Sequence, residues 1–243
     1  MDHLLINAEY NKEFELNEET LTYCKKYKTI VLYAAIQFSQ NLKKILEQLK
    51  SSGIKVITSQ PERTHAKHQI LGCDLSYKNL KLETKPDAFL YIGDGLFHPR
   101  ALALSQKEEN EFKEIIRFDP IANKHYILGL NDIGKILKKS KSNLLKFLHA
   151  DTIGVLITTK PGQQQFQPSK QLKELYPNKK FYYFIDNNIS FDQFENFPFI
   201  ECWINTACPR IGFDDSLNSE FPIINLTEAL QAESLLSKKS LLN

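Results

Sequence analysis

Apolar residues in this chain gather into short unbroken runs rather than strict alternation. The clearest is Thr29-Ile30-Val31-Leu32-Tyr33-Ala34-Ala35-Ile36. A run apolar on both faces is what a strand needs when helices cover each side of its sheet. Gln37-Phe38-Ser39 leads from it into a helix over about Gln40 to Ser51, with Leu42, Ile45, Leu46 and Leu49 on one face. Gly53 stops that helix, and Ile54 to Thr58 reads as the next strand. Parallel strands joined through a helix need a crossover, which is almost always right-handed. Ahead of this unit the pattern is weak. Leu4-Leu5-Ile6 predicts one short strand. Asn17 predicts the N-cap of a helix through Tyr27, with Glu18 and Glu19 suiting its dipole.

After Thr58 a polar loop carries His65 and His68, then Ile70-Leu71-Gly72-Cys73-Asp74-Leu75-Ser76. Gly72 permits a tight turn, and Asp74 or Ser76 is placed to cap a short helix. Asp87 to Ile92 predicts a strand ending in Gly93-Asp94-Gly95-Leu96-Phe97-His98-Pro99, where Pro99 opens a helix over Arg100 to Ser105. Two glycines around an aspartate let backbone approach a ligand closely. Their spacing is not the dinucleotide fingerprint, and an ordinary β–α turn fits equally well. Glu114 to Phe118 predicts a fourth strand, stopping at Asp119-Pro120, and a helix follows from about Asp132 to Leu148.

The pattern then restarts. Thr152 to Thr158 predicts a strand, Thr159-Lys160-Pro161-Gly162-Gln163 its turn, and residues to about Leu175 a helix. The turn lacks the glycine and Lys-Ser/Thr spacing of a Walker loop. Phe181 to Ile185 and Phe199 to Ile204 predict strands, with a helical turn at Phe191 to Phe194 between them. Ile223-Ile224 is a last short strand, and Thr227 caps the final helix. Strands alternating with helices predict an α/β protein of two adjacent domains with mainly parallel sheets flanked by helices. The expected domains are residues 29–140, carrying Cys73, and 141–243, carrying Cys208. Turns follow Ile36 and Thr158 at matching places, as an old duplication would leave them.

Composition narrows the function classes. The chain has 243 residues, 42% hydrophobic and 25% charged, with net charge +2, so there is no global electrostatic case for nucleic acid. Lys138-Lys139-Ser140-Lys141 reads as a solvated helix face. No apolar run approaches a membrane span. Asp2, His3, Glu9 and Glu13 are unlike a signal peptide, and the expected location is cytoplasmic.

Cys24, Cys73, Cys202 and Cys208 are widely spread, and no pair has zinc-ribbon or thioredoxin spacing. His65 and His68 have no third ligand at matching spacing. Proline holds the residue before it in extended space, so Cys208-Pro209 places a thiol in a turn at the carboxyl end of a strand. That end is where α/β proteins bind ligands. Arg210, Asp214 and Asp215 follow within one loop's reach. A buried free cysteine in an ordinary turn is the plainer reading of this stretch alone.

Four segments taken together change that reading: Leu71-Gly72-Cys73, Gly93 to Pro99, Thr159 to Gln163, and Thr206-Ala207-Cys208-Pro209-Arg210. Their order and spacing resemble the diphthamide-synthesis family, the 2-(3-amino-3-carboxypropyl)histidine synthases, over roughly residues 29 to 235. The resemblance implies three similar α/β domains, each giving one cysteine to a 4Fe-4S cluster that binds S-adenosylmethionine. It implies a non-standard radical reaction delivering the 3-amino-3-carboxypropyl group to a histidine of translation elongation factor 2. Carried over, Cys73 and Cys208 match the metal ligands of the middle and last domains. The cofactor pocket is matched by Gln37, by Gly93, Asp94, Gly95 and His98, by Thr159, Lys160, Gly162 and Gln163, and by Asp214 and Asp215. Chemistry adds that Asp94, Asp214 or Asp215 suits ribose hydroxyls or an amino group. Arg210 suits a carboxylate, or else serves as a structural cap on the aspartates.

Residues 1–28 resemble the tail of a preceding domain. Cys24 does not sit in the family's cysteine context and Cys202 lies mid-strand, so no third ligand is visible. The leading expectation is a transferase whose third cysteine comes from a companion or homologous chain. A non-catalytic accessory subunit of that enzyme is the alternative. A small-molecule-binding α/β protein with inert cysteines is the third reading.

Overall fold

The computed structural model describes residues 9–160 and 163–243, so the expected strand at Leu4-Leu5-Ile6, and Gly162, lie outside the described residues. The chain divides into two compact units, Met1–Ile133 and Gly134–Asn243.

In the first unit Asn17 caps helix α1 (Glu18–Cys24), its side chain accepting from Thr20 N–H at 2.8 Å. Strands β1 (Thr29–Ala34), β2 (Lys55–Ile57), β3 (Ala88–Ile92), β4 (Ile115–Asp119) and β5 (Lys124–Leu128) form one sheet in the order β2-β1-β3-β4-β5. Every residue of β3 is buried, as is β1 from Ile30 onward, which is why these two read as unbroken apolar runs. Helix α2 (Lys43–Ser51) buries Ile45 and Leu49 and stops before Gly53, whose φ is 76°.

Three details differ from the sequence reading. Strand β4 stops at Asp119 as expected, but a further strand rather than the helix follows it. Asp119 Oδ1 accepts from the Ile121 and Ala122 amides at 2.9 and 3.0 Å, Asn123 takes φ 52°, and β5 returns antiparallel to β4. Pro99 does not open its helix. Helix α3 (Phe97–Ser105) starts two residues earlier, and proline is tolerated there because first-turn amides have no partner within the helix. Ser76 precedes the 3-10 turn Tyr77–Leu80 without a side-chain capping bond, and the Asp74 carboxylate turns back to Leu71 instead.

Helix α4 (Leu130–His149) carries the division between units, and the expected boundary at residue 140 falls inside it. In the second unit β6 (Thr152–Ile157), β7 (Lys180–Ile185), β8 (Cys202–Asn205) and β9 (Ile223–Asn225) form a parallel sheet in the order β7-β6-β8-β9. The first four strands of each unit therefore share one order. Short helices α5 (Phe166–Ser169), α6 (Gln171–Leu175) and α7 (Arg210–Phe213) lie in the connections. The core centres on Trp203, stacked on Phe194 with centroids 4.1 Å apart. Gly154 faces Trp203 in register, and a Cβ there would lie 2.4 Å from the indole. The final helix is not capped by Thr227. Asn225 stands at the N-cap of α8 (Leu226–Ala229), and α9 (Ala232–Ser237) starts afresh after Gln231. Among the described residues no helix is long and apolar enough to cross a membrane.

Candidate functional site

In the first unit the ends of β1 and β3 gather the residues around Cys73. Ala35 N–H donates to Ile92 O at 2.9 Å, which ties the turn carrying Gln37 to the end of β3. On the other side of β1, residues 68–70 run alongside as a short parallel bridge between Ala34 and Gln69. The chain then turns through Leu71-Gly72-Cys73. Asp74 N–H donates to Leu71 O and Leu75 N–H to Cys73 O, both at 3.1 Å. Asp74 Oδ2 accepts from Leu71 N–H at 2.8 Å. The Asp74 carboxyl is fully buried, and burial raises its pKa. Lys107, also buried, donates from Nζ to Leu75 O at 2.7 Å.

Gly72 is required by a close approach. A Cβ there would lie 1.9 Å from the ring of Phe97, so that ring rests on the Gly72 backbone. The cysteine turn thus packs against the first residue of α3, which follows the glycine loop. Gly93 and Gly95 take φ 155° and 64°, conformations that favour glycine. Arg117, almost fully buried, donates from Nη1 to Gly95 O at 3.0 Å, with its guanidinium carbon 4.3 Å over the Tyr126 ring. Asp94 is exposed, and His98 stacks on Tyr91 at 6.1 Å.

In the second unit a cleft of about 510 Å³ is lined by Thr158, Lys160, Gln163, Asn187, Cys208 and Asp215, among others. That volume lies within the range of small-molecule sites, roughly 300–1,000 Å³. Asn187 Oδ1 accepts from Thr159 N–H at 2.9 Å and from the Thr158 and Thr159 hydroxyls at 3.2 and 2.7 Å. Thr159 is therefore engaged with Asn187 while Lys160 and Gln163 line the opening. The Cys208 turn is held by buried Asn205. Its Nδ2 donates to Cys208 O at 2.8 Å and to Asn225 Oδ1 at 2.7 Å, and its Oδ1 accepts from Ala207 N–H at 3.1 Å.

The two aspartates have different places. Arg210 is 4% exposed and its Nε donates to Asp214 Oδ2, so these two charges are engaged with one another. Asp215 faces the cleft. Partial burial raises its pKa, and the neighbouring Asp214 charge adds to that.

The four thiols divide into two classes. Cys24 and Cys202 are fully buried, and burial pushes each pKa up to about 12, so they remain inert thiols. Cys73 and Cys208 are half-buried, each in a turn. Their turns are not equivalent. Cys73 lies in the crossover between β2 and β3, whereas Cys208 follows β8, whose counterpart β3 runs into the Gly93 loop. Among the described residues no group of three or more His, Cys, Asp or Glu side chains is placed to hold a metal ion.

Sequence reasoning missed Lys107, Arg117, Asn187 and Asn205. A lone arginine inside Ile115-Ile116-Arg117-Phe118 was a usable signal, since a charge in an apolar strand needs a partner. Asn187-Asn188 after a strand was a weaker one. Lys107 carried none.

Two mainly parallel sheets flanked by helices, with half-buried thiols at Cys73 and Cys208 in the connecting loops, make this an α/β protein. The family model "Putative diphthamide synthesis protein" matches residues 4–240, and the chain belongs to that family. The 2-(3-amino-3-carboxypropyl)histidine synthase of Pyrococcus horikoshii is 27% identical over 189 residues, 76% of this chain and 52% of the relative. Its namesake from Methanocaldococcus jannaschii is 28% identical over 193 residues, 75% of this chain and 53% of the relative. Subunit 1 from Dictyostelium discoideum is 26% identical over 229 residues, 89% of this chain and 47% of the relative. The chain thus spans about half the length of the curated relatives it matches. The crystal structure of Dph2 from Pyrococcus horikoshii with 4Fe-4S cluster shares the fold, with TM-score 0.72 and 23% identity over 92% of this chain and 62% of that one.

Proposed function

We propose that this chain takes part in transferring the 3-amino-3-carboxypropyl group from S-adenosylmethionine to a histidine of translation elongation factor 2, the first step of diphthamide formation. The observation that carries the reading is the division of the thiols. Cys73 and Cys208 are accessible in turns, while Cys24 and Cys202 are sealed. Membership of a family whose relatives are named histidine synthases supports it.

The donor set suits a 4Fe-4S cluster in kind but not in number. Thiolates are the usual ligands, and this sequence offers two accessible ones. The third comes from a companion or homologous chain. Cys73 and Cys208 would hold such a cluster, which would supply the reducing electron for cleavage of S-adenosylmethionine. The chain's own residues bind and orient. Gly93 and Gly95 admit a ligand close to backbone, and Asp94 is free to meet hydroxyls or an amine. In the second unit Lys160, Gln163 and Asp215 offer both charge signs around the Cys208 cleft. Arg210 and Asp214, at the two ends of the short helix after Cys208, are paired with one another.

An accessory subunit that binds the partner without completing a cluster is the second reading. The deciding experiment is anaerobic incubation with S-adenosylmethionine, reductant, elongation factor 2 and a chain carrying the family's first domain, with products identified by mass. Aminocarboxypropyl-modified histidine, lost in Cys73→Ala and Cys208→Ala, is the expected result. Full activity in both variants contradicts it, and binding without turnover supports the accessory reading.

A further inference from the structure

Lys107 is 3% exposed, which removes an ammonium from water at a cost that packing alone does not repay. It lies in the 3-10 turn Gln106–Glu108 that continues α3, far in sequence from the Cys73 turn. Its Nζ nonetheless reaches Leu75 O, a buried bond of 2.7 Å, with Glu108 Oε1 3.7 Å away. The turn also closes locally. Asp74 and Leu75 amides donate within residues 71–75, and Asp74 Oδ2 accepts from Leu71. Two long-range contacts bear directly on residues 71–75: the seat of the Phe97 ring on Gly72, and the Lys107 bond to Leu75. The first rests on a ring that is 54% exposed, so the buried ammonium is the firmer of the two.

We propose that Lys107 is a positioning residue for Cys73. Its charge-assisted bond fixes the carbonyl two residues after the thiol, and so sets the direction and accessibility of that thiol. The purpose of such placement rests on the reading of Cys73 as a ligand, but the test does not.

The test is native-state alkylation of the full chain with iodoacetamide, resolved by peptide mass. Cys208 serves as the rate reference, and buried Cys24 and Cys202 report on folding. Lys107→Met should raise the Cys73 rate relative to Cys208 about tenfold, as loss of a hydrogen bond to a charged group implies. Lys107→Arg, which keeps charge and donor, should restore it to within about threefold of the parent, while Cys24 and Cys202 stay protected. An unchanged Cys73-to-Cys208 ratio in folded Lys107→Met overturns the proposal. If that variant exposes Cys24 and Cys202, Lys107→Gln takes its place under the same criterion. If neither folds, Lys107 belongs to the core and the proposal is overturned.

Discussion

Arg117 donates to the carbonyl of Gly95 at 3.0 Å, and this bond ties the glycine loop after β3 to the neighbouring strand β4. The same guanidinium covers the Tyr126 ring of β5, so one buried cation joins a loop and the edge of the sheet. Arg117→Leu removes both contacts and leaves Gly95 O without its partner. The expected loss is about 2–3 kcal/mol, from a charged hydrogen bond plus a cation–π contact. Urea unfolding measures it, and amide exchange at residues 93–96 should accelerate in the same variant.

Gly72 and Gly154 both face rings, yet substitution should separate them. A Cβ on Gly154 would meet Trp203, which is 1% exposed and held by Phe194. A Cβ on Gly72 would meet Phe97, which is 54% exposed. Gly154→Ala is expected to cost about 1–3 kcal/mol by overpacking, and Gly72→Ala less than that. In a Phe97→Ala background Gly72→Ala should become nearly neutral, a coupling that a double-mutant cycle of unfolding free energies detects.

Asp215 gives a pH dependence with a definite sign. Its native pKa lies above the ordinary 3.8, first through burial and then through Asp214. The unfolded chain therefore ionises this group more readily than the native one does. Its contribution to stability is fully present below pH 3.8 and is lost as pH rises through the native pKa. Asp215→Asn should consequently be more stable than the parent at neutral pH, with the gap closing as pH falls toward that value. Thermal melts of both chains across the acid range check this. A gap independent of pH would contradict it.

The buried parallel strands were legible because covering both faces of a sheet leaves an unbroken apolar run, as in β1, β3 and β6. The Asn17 cap and the Gly53 stop were legible because their chemistry is local. Strand β5 was not. Lys124-His125-Tyr126-Ile127-Leu128 lies at a sheet edge with alternating exposure, and only its pairing with β4 makes it a strand. The turns bearing the candidate residues could be read from glycine and proline alone. What holds those turns could not, because Lys107 acts on Leu75 and Arg117 on Gly95 across long stretches of chain. The division of Arg210, Asp214 and Asp215 into an ion pair and a cleft-facing acid was equally hidden, since adjacent aspartates look alike in a sequence.

The most direct measurement of the central claim is anaerobic reconstitution with iron and sulfide, followed by metal analysis and electron paramagnetic resonance. The account predicts little stable cluster in this chain alone. It predicts one 4Fe-4S cluster once a chain bearing the family's first domain is added, abolished by either Cys73→Ala or Cys208→Ala. A full, stable cluster in the isolated chain, or one indifferent to both substitutions, would contradict it.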